Sequence, residues 1–71
     1  MGRISSKQKL GKKLHDLRKS QSLSQEQLSF MAKIDRSYIS EIENGLRNPS
    51  LQTLEKLAKA LKVKLSDLTN S

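Results

Sequence analysis

Apolar residues recur along the chain at helical spacing. Leu10, Leu14 and Leu17 stand at i, i+4 and i+7, the stripe of an amphipathic helix expected over residues 5 to 21. Ser5 followed by Gln8 is a capping-box pattern at its start. Leu28, Met31 and Ala32 give the segment Ser24 to Ala32 a stripe of its own, and Ser24 with Gln27 repeats the box. After the turn Lys33-Ile34-Asp35, a third helix is expected from Arg36 to Asn44. The Asp35 carboxylate would cap its start and Gly45 would end it in the left-handed conformation. Leu46-Arg47-Asn48-Pro49 is a polar loop with turn chemistry. Ser50 then caps the best-patterned helix, Leu51 to about Lys62, with Leu51, Leu54, Leu57, Ala58 and Leu61 as core. Val63 and Leu65 connect it to a last turn, Asp67 to Asn70, capped by Ser66 with Leu68 inward. No stretch alternates at period two, so no sheet is expected. The pattern predicts an all-α fold: a compact bundle of four to five short helices in one domain over residues 1–71, with residues 1–5 flexible.

The segment Ser24 to Gly45 is the most informative. Two helices, each below the ~12–15 residues an isolated helix needs, are joined by a tight turn, which reads as a DNA-binding helix-turn-helix. Advancing about 100° per residue from Arg36, Ser40, Asn44, Ser37 and Glu41 fall at roughly 40°, 80°, 100° and 140°. Ile42 and Ile39 fall at roughly 240° and 300°. One face is two isoleucines for a core; the other is Arg36 and short polar groups that let a helix approach a groove edge. Tyr38 borders the apolar face on one side and Glu43 on the other. The same angles also suit an ordinary amphipathic helix with a solvated face.

Charge weighs toward the first reading. Lys and Arg number 14 against 7 Asp and Glu, a net charge of +7, and the pI is near 10.1. That balance favours a polyanionic partner. The excess concentrates before residue 21, where Lys7, Lys9, Lys12, Lys13 and Lys19 lie mostly off the leucine stripe and Asp16 is the one acid. The first helix is a poor membrane binder, because its apolar stripe lacks aromatics and is needed for the core. There is no cysteine, hence no disulfide framework or thiolate metal site. No apolar run approaches ~18 residues and no signal-peptide core is present, so a cytoplasmic, soluble protein is the default. Met1-Gly2-Arg3-Ile4-Ser5-Ser6 matches a myristoylation pattern that often matches by chance. His15, the sole histidine, reads as a surface residue with no ligand or acid–base set beside it. Nothing else suggests an enzyme, a metal, a cofactor or a small-molecule ligand.

Leu23 to Leu61, LSQEQLSFMAKIDRSYISEIENGLRNPSLQTLEKLAKAL, resembles the Cro/Xre-type helix-turn-helix domains of phage repressors and bacterial regulators. The carrying motifs are the Ser-Gln start of the second helix, Ile-Glu-Asn-Gly ending the third, and Arg-Asn-Pro-Ser-Leu before the fourth. Asp-Arg-Ser-Tyr-Ile-Ser with Arg47-Asn48 is most similar to the controller proteins of restriction–modification systems. The resemblance implies a transcriptional regulator that binds double-stranded operator DNA, palindromic and read by a homodimer. It implies that Arg36, Ser37, Tyr38, Ser40 and Glu41 face the bases, and that Gln25, Asn44, Arg47 and Asn48 hold the backbone. It also implies an internal ion pair, Arg18 with Glu43. Glu41 is expected to accept from cytosine N4, to sit at the groove edge and tune selectivity by repulsion, or to pair with Arg36. By analogy the dimer surface would involve Val63, Leu65, Leu68 and the end of the fourth helix. The rival reading is an antitoxin-like module using the same fold to cover an acidic protein.

Overall fold

In the computed structural model, which describes residues 6–69, the chain forms five helices and, among those residues, no strand. They are α1 (Ser6–Ser20), α2 (Gln25–Ala32), α3 (Arg36–Glu43), α4 (Leu51–Leu61) and α5 (Leu65–Thr69). The Ser5 cap, the flexibility expected of residues 1–5, the myristoylation pattern apart from Ser6, and Asn70 lie outside the described residues.

Side chains and backbone together set the boundaries. Ser24 Oγ accepts from Gln27 N at 2.9 Å and Gln27 Oε1 accepts from Ser24 N at 2.8 Å, a complete capping box on α2. Ser50 Oγ accepts from Thr53 N at 3.2 Å and caps α4. Asp35 differs from expectation: its carboxylate makes no cap hydrogen bond and instead accepts from Ser37 Oγ at 3.0 Å. The last helix also starts earlier than expected. Leu65 is its first residue, Ser66 lies inside it, and Asp67 Oδ2 reaches back to Lys64 N at 2.9 Å.

Four helices end in the same way. Gly45 has φ +74°, Gly45 N donates to Ile42 O and Leu46 N to Glu41 O, the paired bonds of a Schellman stop. Ser22, Lys33 and Lys62 take the same left-handed place after α1, α2 and α4, each at φ 58°. Only Gly45 announces itself in sequence, because the other three are residues that enter this region at a cost.

The core is Leu14, Leu28, Ala32, Ile39, Ile42, Leu57, Ala58, Leu61 and Leu68, with Leu10 and Leu17 half-buried against it. α1 packs on α3 and α5, and α2 on α3 and α4. Fully burying a leucine or isoleucine contributes about 1.5–3 kcal/mol each, so the short α2 and α3 are held by tertiary packing. Three positions expected in the core are outside it: Leu54 is half-buried, Met31 is half exposed and Leu51 is 60% exposed. Leu68, expected at a dimer surface, is only 2% exposed and belongs to this domain's own interior. Gly11 marks where α1 crosses the end of α3; a Cβ there would clash with Ile42 O and come within 2.7 Å of Glu43 O.

Candidate nucleic-acid interface

Beneath the interface sits a polar cluster. Arg18 Nε donates to Glu43 Oε2 at 2.7 Å, Arg18 Nη2 to Glu43 Oε1 at 2.9 Å, and Arg18 Nη1 to Leu23 O at 2.7 Å. Both side chains are more than nine-tenths buried. This is the paired, fork-on-fork geometry in which arginine holds a carboxylate best. Gln25 Nε2 donates to Glu43 Oε1 at 3.1 Å, and His15 Nδ1 lies 3.2 Å from the same oxygen. Burial pushes the Glu43 carboxyl up, but hydrogen bonds from Arg18, Gln25 and His15, with the arginine charge, outweigh it and leave it below the ordinary glutamate range. The cluster ties α1, the start of α2 and the end of α3 together.

Two of its members are visible in sequence only in part. His15 is exposed, as expected, but it is not isolated: it stands one helical turn before Arg18 and shares Glu43. The i, i+3 spacing of His15 and Arg18 was the available signal, but Glu43 lies 28 residues away and no local pattern joins them. Gln25, expected at the DNA backbone, is half-buried and oriented by Glu43. An amide nitrogen carries two hydrogens, and Glu43 takes one.

Above the cluster, α3 presents the face that its angles predict. Ile39 and Ile42 are fully buried. Arg36, Ser37 and Asn44 are exposed, and Tyr38, Ser40 and Glu41 are half-buried. Among the described residues Arg36 makes no ion pair. Glu41 does not pair with it; Glu41 Oε1 accepts from Arg47 Nε at 2.9 Å. The Arg47 guanidinium also lies over the Tyr38 ring, 5.4 Å from its centroid. Tyr38, Glu41 and Arg47 thus form one surface unit joining α3 to the following loop, which the buried Pro49 anchors. Ser37 spends its hydroxyl hydrogen on Asp35, leaving the oxygen to accept.

The basic side chains divide by environment. Lys12 is held by Asp16 at 3.2 Å on an exposed helix face. Lys9 and Lys13 share a groove with Asn48, and Lys19 shares one with Gln25 and Arg36. Lys19 therefore stands beside the start of α3, while Lys9 and Lys13 stand beside the loop that follows it.

Residues 14–68 match the helix-turn-helix family HTH_3. The chain is 49% identical over 59 residues to the control protein C.BamHI of Bacillus amyloliquefaciens, covering 82% of this chain and 73% of that one. It is 48% identical over 61 residues to the control protein C.MunI of Mycoplasma sp, covering 84% and 82%. Among solved structures, the restriction–modification controller protein C.AhdI from Aeromonas hydrophila superposes with a TM-score of 0.86 at 44% identity, covering 87% of this chain and 94% of that one.

Proposed function

The chain belongs to the Cro/Xre-type helix-turn-helix family and is a DNA-binding transcriptional regulator; from that premise we propose that it reads a palindromic operator by laying α3 in the major groove, as one half of a two-fold dimer. The observation that carries this reading is the division of α3: both isoleucines are fully buried while Arg36, Ser37 and Asn44 face solvent. A major groove admits one helix, whose N-terminal residues reach the base edges.

In this reading Arg36 donates two parallel bonds to guanine O6 and N7, contributing about 1–3 kcal/mol of discrimination. Ser37, with its hydrogen already committed, accepts from a base amino group. Tyr38 and Ser40 make mixed base and backbone contacts. Glu41 accepts from cytosine N4 only after Arg47 releases it, and the released Arg47 turns to a phosphate. Gln25 gives its second amide hydrogen to a phosphate oxygen at the start of α2, where backbone N–H groups and the helix dipole also favour an anion. Asn44 and Asn48 hold the backbone beyond the recognition helix.

A two-fold dimer would place the two α3 helices in half-sites about 34 Å apart. Leu46 and Leu51, 66% and 60% exposed, join the half-buried Val63 and Leu65 as its surface. Similarity to control proteins makes the genes of a restriction–modification system the favoured target, in a bacterial or phage-infected cytoplasm. Selection of bound duplexes from random DNA tests the reading. An inverted repeat with half-site centres one turn apart is expected. Enrichment of no sequence, or of an asymmetric single site, would overturn it.

A further inference from the structure

A second surface lies away from these residues. Leu28 and Ala32 turn α2 toward the core, and Phe30 falls on the opposite side, 85% exposed. It is the chain's one phenylalanine. Phe30, Met31 and the half-buried Leu23 line one apolar depression. Across Met31 this continues into a second, floored by Ala32 and Ala60 and walled by Lys33, Lys56, Lys59 and Lys62. None of Arg36, Ser37, Tyr38, Ser40, Glu41, Asn44, Arg47 or Asn48 lines either depression.

We propose that this α2–α4 face docks an acidic, amphipathic segment of another protein, while α3 remains free for DNA. Scattered exposed apolar residues need no explanation, but a contiguous apolar strip with a polar rim does. An exposed aromatic beside a flexible methionine is the composition of an anchor pocket at a protein interface. The rim decides the occupant. Four lysines border the Met31 end and no carboxylate lines it; the one carboxylate on the strip, Glu26, stands at the Phe30 end. A segment with one or two large apolar side chains, followed by carboxylates, would bury the ring and neutralise the lysines together. A second copy of this chain fits poorly. In a two-fold contact centred on Met31 the lysine end would meet the partner's Phe30 end, where Glu26 alone would answer four lysines. A duplex could meet the lysine rim but would leave its phosphates against the apolar strip of Leu23, Phe30 and Met31.

The test is a selection of short random peptides displayed on phage, carried out against the protein bound to its selected duplex. Binding of synthetic versions is then measured against wild type, Phe30→Ser and the double variant Lys56→Glu/Lys59→Glu. The proposal predicts enriched peptides that combine an aromatic or aliphatic residue with Asp or Glu. It predicts that both variants weaken them by at least about tenfold, as loss of an anchor does, with duplex affinity unchanged for Phe30→Ser. Three outcomes would overturn it: peptides without carboxylates or no enrichment, equal binding to Phe30→Ser, or a shift of the free protein from dimer to monomer in Phe30→Ser. The last would make a second copy the occupant. DNA recognition through α3 would survive each of them, and a loss of duplex binding in Arg36→Ala tests that separately.

Discussion

At the scale of single residues, the Arg18–Glu43 pair has the largest expected consequence for stability. Removing Arg18 strands a carboxylate that is 4% exposed. Arg18→Ala is expected to cost about 3 kcal/mol, because Gln25 and His15 compensate only in part. Lys19→Ala, one residue along on the exposed side of α1, is expected to stay within about 0.5 kcal/mol. Urea midpoints of the two variants check this difference. The pair also predicts a pH dependence. Glu43 is held below its ordinary range, so the folded state binds its proton less readily than the unfolded chain does. That stabilisation is complete above the unfolded value of about 4.3 and is lost as pH falls through the lower folded value. Glu43→Gln should therefore be less stable than wild type at neutral pH, with the gap closing in acid. A gap that stays constant down the titration would reject the carboxylate's role. The pair was readable from family resemblance and from the angle of Glu43, whereas His15 was not, since its partner is distant in sequence.

At the scale of elements, intrinsic propensity and packing give opposite forecasts for Gly11. In an isolated helix, Gly→Ala would gain about 1 kcal/mol. Here the added methyl meets the carbonyls of Ile42 and Glu43, and Gly11→Ala is expected to lower stability by about 1–3 kcal/mol. Thermal melts give the sign directly. Lys33 makes the complementary case. It ends α2 at φ 58°, a region that costs an L-residue roughly 1–2 kcal/mol. Lys33→Gly should raise stability by up to about 1 kcal/mol, the relief of the left-handed strain being partly offset by glycine's greater freedom when unfolded. These two positions show where sequence reading stops. Leucine spacing and the Ser24–Gln27 and Ser50 caps locate α1 to α4 within a residue or two, because those signals are local. Left-handed Ser22, Lys33 and Lys62 leave no mark in residue type; backbone bonds from Leu23 N to Arg18 O, Ile34 N to Ser29 O and Val63 N to Ala58 O close those stops. Met31 and Leu51 satisfy the helical period yet lie outside the core, because the period places a stripe but not its edges. Asp35 has the right chemistry for a cap, but Ser37 claims its carboxylate.

At the scale of the whole molecule, charge and shape divide the work. In the proposed reading Lys9, Lys13 and Lys19 would supply attraction that is independent of sequence and falls with salt, while α3 would supply the reading. The outward face of α3 is legible in the sequence itself, because two isoleucines fix which way eight residues point. What the sequence left open was the state of that face, where Arg47 occupies Glu41 and stacks on Tyr38 and Arg36 alone stands uncommitted among the charged side chains. In the proposed complex Arg36 reads a guanine. The most direct measurement is a double-mutant cycle on the selected duplex, pairing wild type and Arg36→Ala with 7-deazaguanine placed at each guanine in turn. If Arg36 grips a guanine, one guanine per half-site will be found at which losing N7 weakens wild type by part of the ~1–3 kcal/mol expected of the contact, and leaves Arg36→Ala unchanged. Additive losses at every guanine would contradict it and reduce Arg36 to a phosphate contact.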